Sequence, residues 1–425
     1  MYCIQRSFTF TDQIIRQSRQ LTVYQVIFDV LDLSAIPDRM KELGRKGYSI
    51  HAMIRALIVK HRERIESIPR LIDYLDGNPY LAELCGFTPG VIPGETAFYR
   101  LLGKLPHPFA ERTLHTVNKA LIEKGAVTLD TFLMDSKPVL AASADNNIKN
   151  PGRNLTDKTK KPARNPRAAL GYLAKAPDGG KTLFWGYRTH VITSGEGIPL
   201  VEVTHPNNVP DSKVAGTLIN KLKRVYHFNS GAAFIGDAAY DVNGLYELII
   251  DKYNCTAFIA LNPRAAKNPH TTGEHSRPVC DAGLEMVSDG RWVDPRRHTI
   301  KHKFICPLKV SASRSKLYPA VCPAGCPKFA GYGCTKYQQQ SYSARNSVPR
   351  GTERFQYVYS HRIIVEQYFA RLGTLEAYQT SHYRLNAIRN QVTIAHLTHS
   401  IIALAALHMG HKESFRCYRS LFRVA

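Results

Sequence analysis

Two short apolar runs that each finish on an aspartate constrain this chain more than any other feature: Thr131-Phe-Leu-Met-Asp135 and Ala233-Phe-Ile-Gly-Asp237. Runs of that length and composition read as buried strands. A single aspartate closing a strand is ordinarily structural or solvated, so neither carries an argument alone. A third acid changes the reading. Over Tyr359-Ser-His-Arg362-Ile-Ile-Val-Glu366-Gln-Tyr-Phe-Ala-Arg371 the pattern predicts one helix, with Tyr359, Arg362 and Glu366 at spacings of three and four. That spacing stacks all three on one helix face. Three acids from two strands and a helix can converge on divalent metal, and a carboxylate beside an arginine and a tyrosine suits a phosphate-and-metal site.

The elements around these acids follow from pattern. Strands are predicted over 127–135, 182–193, 198–204, 232–237 and 255–261, with a hairpin turn at Gly195-Glu-Gly197. Helices are predicted over 211–226, capped by Asp211 or Ser212, and over 242–253. Asp145, Asp211 and Asp241 are not assigned to metal. His190 and Lys137 fall near the site and read equally well as hydrogen-bonded or solvated residues. Residues 1–125 read as helical: Ile50, Met53, Ile54, Leu57 and Ile58 share a face, with Arg55, Lys60, Arg62 and Arg64 largely off it. Short helices, tight turns and basic residues fit either a helix-turn-helix DNA reader or a packing module with a solvated face.

Asp135, Asp237 and the Tyr359–Arg362–Glu366 segment resemble the DDE transposases of bacterial insertion sequences, of the IS4 type. The likeness extends over most of the chain, including the N-terminal helices and the strand at Gly186-Tyr-Arg-Thr-His-Val-Ile. The signature's final lysine, seven positions after the glutamate, is Gly373 here; Arg371 is the nearby basic residue. The resemblance implies an α/β architecture: a ribonuclease-H-like catalytic domain (126–263 and 351–410) with an insertion at 264–350, preceded by an α-helical DNA-binding domain (1–125) and followed by a basic tail (411–425). It implies that Asp135, Asp237 and Glu366 hold Mg²⁺ or Mn²⁺ and cut and join DNA. It also implies that Tyr359, Arg362 and Arg371 contact DNA, and that the protein works as a homodimer on terminal inverted repeats and target DNA.

Charge agrees with a polyanionic partner. The chain has 57 Lys+Arg against 34 Asp+Glu, a net +23, with an otherwise ordinary 44% hydrophobic content. Between the first two strands lies a polar stretch, 146–167, that reads as a mobile loop too polar to pack. Lys158, Lys160, Lys161 and Arg164 in it are expected to contact phosphates. In the insertion, Cys322-Pro-Ala-Gly-Cys326, Cys334 and Cys306 can supply four thiolates to a structural Zn²⁺, or remain free thiols in a turn. Nine unevenly placed cysteines and no signal-peptide pattern at the start point to the cytoplasm. The apolar run 394–409 carries three histidines and is too short for a bilayer, so it reads as a core helix and no membrane role is expected. No phosphate-binding glycine motif is visible, so no nucleotide cofactor is expected.

Two other functions fit the same residues. One is a metal-dependent, structure-directed nuclease with no joining step. The other is an inactive DNA-binding relic that uses only the helical N-terminus.

Overall fold

The computed structural model describes residues 18–39, 47–88, 90–172, 182–262, 272–275, 277–294, 299–310, 322, 325–330, 333–339, 344–413 and 415. Arg416, Arg419 and Arg423 of the basic tail lie outside the described residues.

Among the described residues six helices come first: α1 Arg19–Asp29, α2 Ile50–Arg62, α3 Ile68–Asp76, α4 Pro79–Cys85, α5 Glu95–Lys104 and α6 His107–Glu123. Serine hydroxyls start α1, α2 and α3 by accepting a backbone N–H of the first turn: Ser18 from Leu21, Ser49 from Ala52 and Ser67 from Arg70. The amphipathic reading of α2 needs correcting at two positions. Lys60 and Arg62 are buried, not on a solvated face. The Arg62 guanidinium lies 4.4 Å from the centre of the Tyr24 ring and donates to Glu63 at 2.6 Å. Burial pushes the Lys60 ammonium down to about 8. These cations belong to the packing and are not available to a phosphate.

The central sheet holds β1 Thr131–Leu140, β2 Ala169–Tyr172, β3 Leu183–Ser194, β4 Pro199–Pro206, β5 Ala233–Gly236 and β6 Thr256–Ile259. Its order is β2-β3-β1-β5-β6, with β4 also paired to β3. β3 and β4 form the expected hairpin, β3 runs antiparallel to β1, and β1, β5 and β6 are mutually parallel neighbours. Phe132 and Leu133 point to opposite faces by alternation, and both are fully buried, so both faces of the sheet are covered. The cover is α7 Asp211–Tyr226 on β1, β3 and β4, α11 Ile363–Gly373 on β1, and α12 Leu385–His408 on β4. The intervening helices are α8 Asn243–Tyr246, continued by a π-helical stretch Glu247–Lys252, α9 Ala344–Ser347 and α10 Glu353–Ser360.

α12 is the axle of the molecule. It is buried almost all round and packs against α1, α2, α5 and α6 as well as the sheet. One apolar core therefore runs without interruption from Val23 in α1 through the sheet to Leu404 in α12. No helix among the described residues is long and apolar enough to cross a membrane. The insertion forms its own antiparallel sheet, β7 Val287–Asp294, β8 Thr299–Ile305 and β9 Thr335–Gln339, over a small core of Cys280, Met286 and Phe304. The chain returns to the main body through two arginines. Arg345 forks onto the Asp241 carboxylate at 2.7 and 2.5 Å, and buried Arg350 donates to the Ile259 carbonyl at 3.1 Å and the Tyr246 hydroxyl at 2.8 Å.

Candidate active site

The first correction concerns where β1 ends. It does not stop at Asp135 but runs on to Leu140, so Asp135 lies mid-strand, opposite Val191 of β3. β5 does stop, at Gly236, whose partner on β1 is Met134. From Asp135 to Val139 β1 has no strand partner on that side among the described residues, the edge being bridged again only at Leu140, which pairs with Gln379, and Asp237 follows directly after the end of β5. The two aspartates thus flank one notch in the sheet. Each spends one oxygen on a neighbouring backbone N–H: Asp135 accepts from Ser136 at 2.8 Å and Asp237 from Ala239 at 2.8 Å. Among the described residues the second oxygen of each has no hydrogen bond. Asp135 is half-buried. That burial, reinforced by the charge of Asp237, pushes its carboxyl up to about 6. Burial and the neighbouring Asp211 raise Asp237 as well. Both are acids held where negative charge is uncomfortable.

The second correction concerns the acidic helix. It is two helices, α10 and α11, joined by a turn at His361 and Arg362. The joint is stitched by tight bonds to the third residue back: His361 to Val358 at 3.1 Å, Arg362 to Tyr359 at 3.0 Å and Ile364 to His361 at 2.9 Å. Tyr359 thus ends one helix while Glu366 lies in the first turn of the next, with Arg362 at the corner between them. Arg362 makes a close ion pair with Glu366. It also bears electrostatically on Asp135, Asp237 and Tyr359, so it is the residue that links the glutamate to the two aspartates. Glu366 is the most exposed of the three acids. Arg371 is half-buried on α11, and Gly373 packs against the Tyr378 ring, where an added Cβ would come within 3.2 Å.

The third correction brings in a residue set aside as a helix cap. Asp211 opens α7 but does not cap it; Pro210 holds the cap position. The Asp211 carboxylate instead lies 2.9 Å from Nδ1 of His190, which is fully buried on β3. Burial alone would raise Asp211, but His190, Ser136 and Arg188 outweigh it and hold its carboxyl below the usual range. Arg188 donates to the Ser136 hydroxyl at 3.0 Å and to Asn207 at 3.1 Å. No local pattern pairs residue 211 with residue 190; only the β3–β4 hairpin and the start of α7 bring them together. Asp145 and Asp241 prove structural: Asp145 accepts from Asn154 at 3.0 Å, and Asp241 carries Arg345.

The basic loop is not loose. Asparagines pin it: Asn146 ties it to the sheet by donating to the Ala141 and Trp185 carbonyls at 2.8 Å, and Asn154 closes the loop on itself by donating to the Asp157 and Lys160 carbonyls at 2.8 Å. Fully buried Asn165 donates to Ala142 at 2.8 Å. Each bond satisfies a backbone carbonyl that a packed loop would otherwise bury alone. The cations stay outside, with Lys158, Lys160, Lys161 and Arg164 all exposed. Arg164 stacks over Tyr383 at 5.6 Å beside a groove of about 630 Å³.

In the insertion, Cys306, Cys322, Cys326 and Cys334 line one small cavity, joined by Cys280, which the spacing did not single out. Burial and the neighbouring thiols Cys306 and Cys280 push Cys334 up to about 11. Among the described residues, a different trio has donor atoms all within 4.8 Å of one another: His107, Glu111 and Glu202. Neither the acids nor the thiols form so tight a group. That trio already has its cation, because the Lys221 ammonium contacts Glu111 and donates to the Glu202 carbonyl at 3.0 Å. Glu202 is buried, and although burial alone would raise it, His107, His396 and Lys221 hold its carboxyl far below the usual range. It reads as a buried ionic joint between α6, β4, α7 and α12.

No curated protein matches the chain. The cryo-EM structure of the piggyBac transposase synaptic complex with hairpin DNA is 12% identical, covering 96% of this chain and 81% of that one with a TM-score of 0.39, a score too low to carry a structural argument. Family models are more direct: residues 11–102 match a transposase domain described as DUF772. The transposase DDE domain model matches residues 128–401, a span that holds Asp135, Asp237 and Glu366, and the chain therefore belongs to the DDE transposases of insertion sequences.

Proposed function

We propose that this transposase cuts DNA at the ends of its element and joins those ends to target DNA at a two-cation site held by Asp135, Asp237 and Glu366. The observation that carries the reading is the pair of aspartates across one notch, each pushed up by burial and like charge. Such a pair is a liability until a cation relieves it. Hard oxygen donors with spare lone pairs suit Mg²⁺ or Mn²⁺. Bound there, the ions supply an activated attacking oxygen and a stabilised leaving oxygen for in-line phosphoryl transfer. Arg362 at the helix corner offsets phosphate charge and orients Glu366. Tyr359, beside it, presents a hydroxyl to the same phosphate, and no residue of the chain need become covalently attached to DNA.

The sheet order, with an antiparallel hairpin on one side of β1 and parallel strands on the other, supports a ribonuclease-H-like assignment for the catalytic part. The exposed cations of the stapled loop, from Lys158 to Arg164, form a fixed track for the backbone of one strand. Recognition of terminal repeats falls to the N-terminal helices, and pairing of two ends to a dimer. Supplying end duplexes with free 3′-hydroxyls, a target plasmid and Mg²⁺ should give joined molecules that vanish with chelator. Nicked duplex with no joined product would favour the nuclease.

Five thiols around one cavity also favour a structural Zn²⁺ in the insertion, since soft thiolates hold zinc at a closed site. Freshly reduced protein should carry close to one equivalent of zinc by metal analysis. Cys326→Ser should release it and open the insertion to protease. Protein free of zinc yet equally resistant would leave these as ordinary thiols.

A further inference from the structure

We propose that Asp211 is a fourth carboxylate of the metal site, giving an oxygen to a divalent cation beside Asp135 and Asp237, and that His190 is the positioning residue that aims it. The inference rests on the two-cation reading of Asp135 and Asp237. An acid in the first turn of a helix normally turns to that helix's own N–H groups. Asp211 has no such bond among the described residues, and its Oδ1 is instead held 2.9 Å from Nδ1 of His190. His190 is opposite Ser136 in the β1–β3 ladder, one residue along from Asp135. By alternation His190 and Asp135 point to opposite faces of the ladder, but the charge of Asp211 bears on both Asp135 and Asp237, which sets its carboxylate beside the end of β5.

A second observation points to a ligand. The Tyr240 hydroxyl, three residues after Asp237, is buried without a hydrogen-bond partner. The acids whose charges bear on it are Asp211, Asp135 and Asp237. Both ring nitrogens of His190 and Oδ1 of Asp211 are likewise buried without a hydrogen bond, their 2.9 Å approach being a charge contact only. A buried polar group left unpaired costs about 1–3 kcal/mol, so orphaned groups ask for something that is missing. A charge contact made only for stability accounts for the nearness of Asp211 and His190 but leaves these buried groups and the tyrosine without partners. A hydrated cation among three carboxylates accounts for both, because its water shell offers the hydroxyl a partner.

The test is Mn²⁺ binding to the full chain without DNA, followed by calorimetry, for wild type, Asp211→Asn and Asp135→Asn. Asp211→Asn should weaken Mn²⁺ binding about 5- to 10-fold and shrink the gain in melting temperature on adding Mn²⁺, over and above the fall in chelator that follows from losing the His190 contact. Unchanged Mn²⁺ binding would make Asp211 structural and overturn the proposal. If Asp135→Asn also binds Mn²⁺ normally, the two-cation reading itself fails. Should Asp211→Asn not fold, wild-type protein loaded with Fe²⁺ and treated with peroxide and ascorbate decides, since radicals cut the backbone beside the ion. Cuts are expected at 210–212 as well as beside Asp135 and Asp237. Cuts at those two sites but not at 210–212 sink the fourth carboxylate alone; cuts at none of the three sink the metal site.

Discussion

Asp135→Asn, Asp237→Asn and Glu366→Gln should each reduce end joining on the order of 10³-fold or more, the rate equivalent of about 4 kcal/mol of lost transition-state stabilisation. Each substitution keeps the shape of the side chain and removes the charge proposed to hold a cation. The losses should not add, because a pair of ions displaced by one change cannot be displaced again by a second. Binding of end duplex in chelator should survive in all three. The two aspartate variants should also be no less stable than wild type without metal, since removing one of two crowded carboxylates relieves repulsion. Glu366→Gln differs in kind. It frees Arg362 from its ion pair and leaves a lone cation at the helix corner, so its affinity for DNA should rise slightly as its chemistry is lost. The measurement is single-turnover joining of labelled end duplex, with binding followed separately by anisotropy. Near wild-type joining by Glu366→Gln would remove the glutamate from the site.

How much of this was legible in the chain depends on whether the decisive contacts were local. The two aspartates were visible because an apolar run flush against an acid is a local pattern. The continuation of β1 was hidden by Pro138, which reads as a strand breaker. Pro138 is tolerated because β5 has already ended, leaving that edge of β1 without a partner for the missing N–H. Asp211 looked like a cap because caps are judged within one turn, whereas its partner His190 lies two elements upstream. The charge run after β1 hid three asparagines whose bonds go to backbone carbonyls; charge reports where a loop is wet, not where it is pinned. Lys60 and Arg62 misled for the opposite reason. A single-face periodicity assumes one covered face, and α2 is wrapped by α12 and its neighbours on more than one. The break between α10 and α11 leaves no proline or glycine to announce it.

The chain should also be unusually sensitive to mild acid, and the cause lies at the seam between the helices and the sheet. Burial pushes His61 and His115 down to about 3, and His382 and His396 down to about 4. In the unfolded chain these rings take up protons as pH falls through about 6.5, while in the folded protein they stay neutral until near pH 4. Their stabilisation is therefore complete above pH 6.5 and drains away as pH falls. By pH 5 each costs about 2 kcal/mol, so the four together rival the whole stability of an ordinary domain. Glu202 works in a lower window. Its depressed carboxyl protects the fold until the unfolded glutamate begins to protonate, near pH 4.5. Urea midpoints should thus fall steeply between pH 6.5 and 5, and His396→Gln should flatten that slope by about one proton. A midpoint flat across this range would show that these rings are not held neutral. The consequence reaches the active site. His396 is bonded to the Tyr368 hydroxyl of α11, and Nδ1 of His61 lies 2.7 Å from the Leu375 carbonyl just beyond that helix. The middle of the helix that carries Glu366 and the turn just beyond it are therefore fastened by imidazoles that must stay uncharged. Joining activity should fall on acidification before the strands carrying Asp135 and Asp237 come apart, with amide exchange in α11 rising ahead of that in β1 and β5.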